Sequence, residues 1–321
     1  MIDKIRFSKK NLSENEIKKI VLTNRLQSYD ADGLKHYNNQ RTKNFKGGMF
    51  IKIDTDKTLK IEGSLHKYST FLKCKQLNNF DSFTMPQAKE TLLKLIENLG
   101  FEIENVTVNF YEIGLNIVAD IEPKELLKSV YSIGDFDKEK LFYINAKYKN
   151  ESVITTQFHK DFRLVYKVYD KIFEMQDKQK TLPNDKTIIR IETEHKRIEN
   201  TLLIDFFIDA NLKRLQTSFF NHWDKLNFLV EIVAPKKTSI SKIELSKILY
   251  KKSKSKVLSE IFKQYKNNTM TIKIYYTLKR FIDNWENEKT NFVPTKSLIF
   301  SQWEKLYNAE KQKYNNTINL K

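Results

Sequence analysis

A tyrosine among cations is the first group in this chain that could do chemistry. Residues 162–171 read Phe-Arg-Leu-Val-Tyr-Lys-Val-Tyr-Asp-Lys, and their period-two alternation predicts a β-strand. One face of this strand carries Tyr169 with the cations Arg163, Lys167 and Lys171, while Tyr166 points to the opposite, core face. A phenol attacks a phosphate ester near neutral pH only when nearby positive charge stabilises the phenolate. The segment is therefore suited to phosphodiester chemistry.

A second predicted strand supplies carboxylates. Residues 188–197 read Ile-Ile-Arg-Ile-Glu-Thr-Glu-His-Lys-Arg, which places Arg190, Glu192 and Glu194 on one face, two residues apart. Two carboxylates at this spacing can act on one ligand. They are candidate metal ligands beside the tyrosine.

A third predicted strand, residues 106–117, carries Glu112, Gly114 and Asn116 on one face. The glycine leaves space for a metal ion or a phosphate close to the backbone. Hard oxygen ligands favour Mg²⁺ or Mn²⁺. Taken alone, this strand also fits an exposed glutamate and a locally hydrogen-bonded asparagine.

Net charge indicates a polyanionic partner. The chain has 57 Lys and Arg against 40 Asp and Glu, a formal charge of +17. Residues 235–321 hold 19 of the cations and 7 of the acids. This asymmetry predicts a basic C-terminal DNA-binding module. A solvated surface rich in Lys is the alternative.

Length and cysteine content exclude other classes. The 321 residues, 40% of them hydrophobic, are enough for two or three compact domains. A single cysteine, Cys74, excludes an internal disulfide framework or a multi-cysteine zinc site and favours the cytoplasm. No apolar run approaches the roughly 20 residues of a membrane span, so no membrane association is expected.

The hydrophobic pattern predicts an α+β fold of two domains, residues 1–233 and 234–321. In the first, a hairpin of residues 49–54 and 59–64 begins the sheet, and a helix from Pro86 ends at Gly100. Later elements repeat this order and predict a duplicated sheet-and-helix core similar to RNA-recognition-motif folds. Helices are predicted over 198–208 and 212–233. The second domain, with helices over 242–250, 257–265 and 270–285, is typical of a winged-helix module.

Four segments, taken in order, resemble the rolling-circle replication initiators of plasmids, of the Rep_trans type, with relatives among filamentous-phage-like replication proteins. The similar segments are Leu59-Lys-Ile-Glu-Gly-Ser-Leu-His-Lys67, Tyr111-Glu-Ile-Gly-Leu-Asn116, Leu164-Val-Tyr-Lys-Val-Tyr-Asp-Lys171 and Ile189-Arg-Ile-Glu-Thr-Glu-His-Lys-Arg197. The first looks like the family's early Arg-Ile-Glu strand, the second its metal strand, the third its nucleophile strand and the fourth its Arg-Ile-Glu-x-x-Leu-x-Arg strand.

The resemblance implies a role for each residue. Tyr169 is then the nucleophile that keeps a 5′-phosphate, and Lys171 is its electrostatic helper. Mg²⁺ or Mn²⁺ is held by Glu112, Asn116, Glu192 and Glu194. Glu112 and Asn116 depart from the two acids that the family has on its metal strand. The candidate DNA contacts are Arg163, Lys167, Arg190, Lys251, Lys252, Lys254 and Lys256.

The partners expected from this resemblance are double-stranded origin DNA and single-stranded DNA, with a host helicase, a polymerase and a second copy of the chain as further possibilities. Two other functions stay open. A silent, repressor-like DNA-binding protein would use the same basic C-terminus. An RNA-binding protein would stack bases on sheet aromatics such as Phe110, Phe158 and Phe162. His66 and His159, near predicted strands, remain candidate ligands, with a structural role as the alternative.

Overall fold

The computed structural model describes residues 1–31, 33–135, 138–148, 151–159, 162–178, 187–229, 231–295 and 298–318. Its strands are β1 (Ile2–Lys9), β2 (Gln27–Ala31), β3 (Leu34–Asn38), β4 (Phe50–Ile53), β5 (Leu59–Ser64), β6 (Val106–Ala119), β7 (Val130–Ile133), β8 (Lys140–Leu141), β9 (Tyr143–Ile144), β10 (Ser152–Phe158), β11 (Arg163–Asp170), β12 (Thr187–Leu202), β13 (Leu226–Phe228), β14 (Glu231–Val233) and β15 (Val293–Thr295).

Ten of these strands form one antiparallel sheet. Its order is β2-β3-β4-β5-β1-β6-β12-β11-β10-β9. The predicted hairpin is confirmed as β4 and β5. It does not begin the sheet, however, because β1 precedes it in the chain and inserts between β5 and β6. The N-terminal strand therefore lies near the centre of the sheet, next to the strand that carries Glu112.

Twelve α-helices lie within the described residues. They are α1 (Glu14–Asn24), α2 (Leu65–Cys74), α3 (Met85–Leu99), α4 (Pro123–Ser129), α5 (Lys171–Asp177), α6 (Leu203–Phe206), α7 (Asp209–Trp223), α8 (Ile240–Lys251), α9 (Lys254–Lys266), α10 (Ile272–Asp283), α11 (Trp285–Glu288) and α12 (Leu298–Ile318). The expectation of a mixed α+β fold is confirmed.

Local signals set the bounds of α3. Thr84 caps its first turn in a reciprocal capping box with Gln87, and Gly100 ends it in the left-handed region at φ 70°. A residue without a Cβ adopts that conformation readily. The predicted helix from Pro86 to Gly100 is therefore confirmed within one residue at its start.

The predicted helices over 198–208 and 212–233 are partly wrong. Strand β12 continues to Leu202, because after an irregularity its Thr201 pairs with Val108 of β6. A helix does form at α7, but it stops at Trp223 and is followed by strands β13 and β14. Pairing with distant strands overrides the local helical pattern in both places.

One face of the sheet is covered by helices and forms the main core. The inward residues of β6, β11 and β12 pack on α3, α7 and α12. Trp223 of α7 is buried, lies edge-on to Tyr166 at 5.9 Å and donates from its indole nitrogen to Thr193 Oγ1 at 3.0 Å. Burial of such a large side chain stabilises the fold by roughly 2–3 kcal/mol. The expected core position of Tyr166 is confirmed.

A second, smaller core lies in the C-terminal part of the chain. It is built from buried side chains of α8 to α11 and the segment after them, Leu245, Leu249, Val257, Ile261, Phe281, Ile282, Trp285 and Phe292. Helix α12 does not belong to it. Its Trp303, Tyr307 and Tyr314 pack on the main core, and Tyr307 donates to Asp224 at 3.0 Å. The domain boundary predicted at 233/234 stays a prediction.

Among the residues described, no helix combines the length and the apolar character needed to cross a bilayer.

We expect His195 to make stability depend on pH. It is partly buried on the core face and stacked on Tyr111 at 4.2 Å, and desolvation there, helped by His222, lowers its pKa to about 3. The unfolded chain binds a proton near pH 6.5 that the folded chain excludes, so this contribution is intact above pH 6.5 and lost as pH falls. Urea unfolding of wild type should therefore lose about 1–2 kcal/mol more than His195→Phe between pH 6.5 and 5. Equal pH slopes for the two proteins would contradict the assignment.

A candidate phosphodiester site

Strand register brings the predicted site residues together on the face of the sheet opposite the main core. The partners across β6 and β12 are Glu112 with Glu194, Gly114 with Glu192, and Asn116 with Arg190. The partners across β11 and β12 are Lys167 with Glu192, and Tyr169 with Arg190. The side-chain faces predicted for these three strands are therefore confirmed, and pairing makes them one continuous polar surface.

Tyr169 is tied to a carboxylate. Its phenol donates to Glu192 Oε1 at 2.6 Å. Burial, together with the charge of Glu192, raises the pKa of Tyr169 well above its usual value. The phenol is therefore protonated at neutral pH, and Glu192 is the group positioned to accept its proton.

Arg190 is a buried cation that organises the carboxylates. Its side chain is 1% exposed. The guanidinium donates to Glu192 Oε1 at 2.5 Å, to Asn116 Oδ1 at 2.8 Å and also to Asp3. The sequence suggested Arg190 as a DNA contact, but in the structure its guanidinium is occupied by protein groups.

Gly114 is required by Arg190. A Cβ at Gly114 would lie 2.3 Å from the guanidinium Nη2, which is far inside van der Waals contact. The space beside this glycine, expected to admit a metal or a phosphate, is instead filled by the arginine. That expectation is wrong because the Arg190 guanidinium occupies the space.

Asp3 was missed by the sequence analysis. A register shift in β1 between Ile2 and Lys4 occurs at this residue, and its buried carboxylate accepts from Arg190, Ser64 and, at 2.7 Å, Asn79 Nδ2. The available signal was an acid within the segment Ile2-Asp-Lys-Ile-Arg-Phe7, which mixes apolar and charged residues. Nothing local indicated that this segment lies next to β6.

Three carboxylates among the described residues lie close enough together to hold one metal ion. Asp3, Glu112 and Glu192 each offer an oxygen within 4.8 Å of the others. Glu192 is held as a carboxylate, since Arg190 and Lys167 outweigh the effect of burial and lower its pKa to about 2. The pKa of Glu112 is shifted in the opposite direction, because burial and, to a smaller extent, the charge of Glu192 raise it to about 8. Of the three carboxyls, that of Glu112 is thus the least stabilised as an anion.

The cluster fits a hard divalent cation. All its donors are carboxylate oxygens, which Mg²⁺ and Mn²⁺ prefer. The closest cation to Glu112 is Lys167, at 3.5 Å, and Glu112 lines an open cleft. Asn116, also predicted as a ligand, is engaged by protein groups instead: it accepts from Arg190 and donates to the Asn79 carbonyl at 2.9 Å.

Lys167 lies among three glutamates. Its ammonium is 2.5 Å from Glu194, 3.4 Å from Glu192 and 3.5 Å from Glu112. Burial alone lowers the pKa of an ammonium, but these carboxylates raise the pKa of Lys167 well above its usual value. Lys167 therefore stays charged. Glu194 also pairs with Lys196. It therefore forms ion pairs with two lysines and lies outside the three-carboxylate cluster.

Lys171 begins helix α5, which Asp170 caps through its side chain. It is 1% exposed and pairs with Glu174 at 2.6 Å. Burial and the nearby Arg190 lower its pKa. The predicted strand thus ends one residue earlier, at Asp170, and the helix start orients Lys171 toward the cleft that Tyr169 lines.

These groups line one cleft of about 620 Å³. Asp3, Glu112, Glu192, Tyr169, Lys167 and Lys171 all contribute to its wall. A space of this size admits a nucleotide-sized group. The cleft therefore gathers a phenol, a carboxylate cluster and several lysines, Lys167 and Lys171 among them, around one volume.

The remaining predicted residues lie elsewhere. His66 is in α2, stacked on Phe83 at 4.5 Å and bonded to Asp81 at 2.5 Å. His159 follows β10 and stacks on Phe162 at 4.4 Å. Neither belongs to the carboxylate cluster.

The C-terminal lysines lie around the start of α9. Lys252 binds Glu260 at 2.9 Å, and Lys254 donates to the Asp283 carbonyl at 3.0 Å. Lys256 is exposed. Lys251 ends α8, and its side chain lies outside the described part of the chain.

The chain matches no protein family model and none of the curated proteins.

We expect Gly114→Ala to destabilise the protein by displacing Arg190. Forcing a methyl into this contact should lower the free energy of unfolding by about 1–3 kcal/mol. Because the clash is with the Arg190 guanidinium, the loss of unfolding free energy should be smaller when Gly114→Ala is made in an Arg190→Gln background. Urea unfolding of the two single variants and the double variant measures this coupling. Additive losses would show that the glycine matters for another reason.

We expect Mn²⁺ to stabilise the fold through Glu112. With Mn²⁺ at a hundredfold excess over its Kd, the free energy of unfolding should rise by about 2.7 kcal/mol. Glu112→Gln should remove this gain because it removes a ligand oxygen charge. Glu194→Gln is the matched control and should keep it, since Glu194 lies outside the cluster. Equal loss in both variants would place the ion elsewhere.

Proposed function

We propose that this protein is a DNA nicking-joining enzyme that starts rolling-circle replication by cutting one strand at its origin. The observation that carries the proposal is the 2.6 Å hydrogen bond from Tyr169 to Glu192, a member of the three-carboxylate cluster. Glu192 thus links the nucleophile to the candidate cation site: it accepts a hydrogen bond from Tyr169 and belongs to the carboxylate cluster. Such an arrangement is what phosphoryl transfer to a tyrosine needs.

The reaction begins with the phenol. Tyr169 Oη attacks the scissile phosphorus while its proton passes to Glu192, the only carboxylate within hydrogen-bond distance of it in the described structure. The new bond joins the phenolic oxygen to phosphorus, and the bond from phosphorus to the 3′-oxygen breaks. The 3′-oxygen leaves as a hydroxyl with a proton from water, and the 5′-phosphate stays on the tyrosine.

Charge stabilisation comes from the residues around the phenol. Lys167 and Lys171 line the cleft and oppose the negative charge that develops on the phosphoryl oxygens. Arg190 holds Glu192 in place for the proton. A divalent ion held by Asp3, Glu112 and Glu192 would polarise a non-bridging oxygen when bound.

Joining is the reverse of the same step. Because the phosphotyrosine conserves the energy of the broken bond, a 3′-hydroxyl can attack it and release the tyrosine. Glu192 then returns the proton to the phenol. One site therefore serves cutting and rejoining, and the free 3′-end can be extended by a polymerase.

The proposal also assigns a role to each of the two predicted domains. A second core of three main helices supports a winged-helix-like module in the 234–321 domain, with duplex origin DNA as its partner. The antiparallel pair of β14, just before residue 234, and β15 adjoins this core. The three-carboxylate cleft lies in the 1–233 domain, which we propose to be the duplicated, RNA-recognition-motif-like nickase core. A single-stranded product, a homodimer, recruitment of a host helicase and polymerase, and action in the cytoplasm complete the proposal.

Covalent capture tests the chemistry. Labelled single-stranded oligonucleotides tiling the origin of the protein's own replicon, incubated with Mn²⁺, should give a protein-DNA adduct that survives denaturing electrophoresis. Tyr169→Phe should abolish the adduct, a loss of at least about a thousandfold, because it removes the oxygen to which the phosphate is proposed to attach. Chelation should reduce it as well.

Tyr166→Phe is the matched control. Tyr166 lies three residues away on the buried face of the same strand, so this variant should retain the adduct. An adduct that persists in Tyr169→Phe would move the nucleophile elsewhere. Tight origin binding with no adduct under any condition would favour the repressor-like alternative.

A further inference from the structure

A second groove lies on the same sheet face, at the far end of the strands that carry the cleft. Its volume is about 440 Å³. Each of four neighbouring strands contributes both to the cleft and to this groove. The pairs are Asp3 and Arg6 on β1, Glu112 and Phe110 on β6, Glu192 and Lys196 on β12, and Tyr169 and Arg163 on β11.

The groove is strongly cationic. Its charged lining comprises five basic side chains and the single acid Glu194. Those cations are Lys4, Arg6, Arg163, Lys196 and Arg197. Glu62 pairs with Lys4 and Arg6 together, so one carboxylate serves two cations.

Two of the arginines have no carboxylate partner among the described residues. They are Arg163 and Arg197, and the Nε of Arg163 is buried with no hydrogen-bond acceptor. A buried donor left without an acceptor costs about 1–3 kcal/mol, which an anionic ligand would relieve. The groove therefore has free positive charge as well as an orphan donor.

Aromatic rings accompany the cations. Phe158 lies opposite Arg163 across β10 and β11, is 72% exposed, and its ring centre is 5.0 Å from that guanidinium. Phe110 forms part of the groove with Lys4 at 5.7 Å and Arg6 at 5.6 Å from its ring. An exposed ring beside cations suits an unpaired base on a phosphate backbone, because only unpaired bases present a free π-face.

We propose that this groove binds the phosphate backbone of single-stranded DNA and holds the strand at a fixed distance from Tyr169. The inference rests on the proposed function in one respect: the distance matters only if Tyr169 is the nucleophile. The binding itself does not depend on cutting. Phe158 stacks on a base while Arg163 and Arg197 contact phosphates.

Strand geometry gives the spacing. Tyr169 and Arg163 are six residues apart on β11, or about 20 Å at roughly 3.3 Å per residue. This distance corresponds to roughly three to six nucleotides, because a stacked strand rises about 3.4 Å per nucleotide and an extended one about twice that. The groove would therefore hold DNA a few nucleotides from the scissile phosphate.

The salt dependence of binding tests the groove. Fluorescence anisotropy of a labelled mixed-sequence 20-nucleotide single strand would be measured in the Tyr169→Phe background, so that no cutting occurs. The double change Arg163→Gln and Arg197→Gln should reduce the slope of log Kd against log salt by about 1.4, since each single-strand phosphate contact contributes about 0.7. Phe158→Ala should weaken binding about tenfold with little change in slope.

Two controls separate the groove from general charge and from misfolding. Arg163→Lys with Arg197→Lys keeps both charges and should retain the wild-type slope. Lys18→Ala with Lys19→Ala removes two exposed cations from α1, a helix that packs on the covered face of the sheet, and should also leave the slope unchanged. Urea unfolding of each variant confirms that it is folded.

The outcomes distinguish this inference from the proposed function. A wild-type slope in the Arg163→Gln, Arg197→Gln protein overturns the groove, even if the Tyr169 adduct forms. An equal reduction with duplex DNA of the same length also overturns it, because the site would then be a duplex contact. A reduced slope confined to single strands supports the groove whether or not an adduct is found.

Discussion

The buried guanidinium of Arg190 is the constraint on which the candidate site depends. It lies on β12, reaches Asp3 on β1 and Asn116 on β6, and also binds Glu192 on its own strand. A buried charge is tolerated only when its partners are in place. The close packing of β1 against β6, the glycine at 114 and the orientation of Glu192 all follow from housing this one cation.

The same interaction makes the carboxyl groups of Glu192 and Glu112 unequal in how readily they ionise. Arg190 and Lys167 together stabilise the negative charge of Glu192, and the proximity of Glu192 then opposes ionisation of Glu112. A fold optimised only for stability would replace Glu112 by an apolar or amide side chain. A carboxyl in this position, beside Asp3 and Glu192, is typical of sites where local stability is exchanged for chemistry or cation binding.

The polar face of the sheet is divided along its strands. Carboxylates cluster near one end, around Tyr169, and cations with aromatic rings gather near the other, around Arg163. The division is possible because side chains on one face of a strand recur every second residue, so residues from four adjacent strands come together at each end. A polyanion lying along the strands would meet attraction at the cationic end, while the acidic end requires compensation by Lys167, Lys171 or a metal.

The sequence by itself determined which side chains share a face. The alternation of residues 163–169 and 188–195 is local, and it placed Tyr169 with Lys167 and Arg190 with Glu192 correctly. Capping residues likewise determined the bounds of α3. Only the tertiary structure decided which strands are neighbours, because pairing depends on contacts between residues far apart in the chain. Asp3 therefore escaped prediction, being over a hundred positions from Glu112, and Gly114 was taken for ligand space until the register placed Arg190 against it. The first residues of the helix predicted over 198–208 belong to β12 for the same reason: pairing of Thr201 with Val108 extends the strand to Leu202, and no local pattern contains that partner.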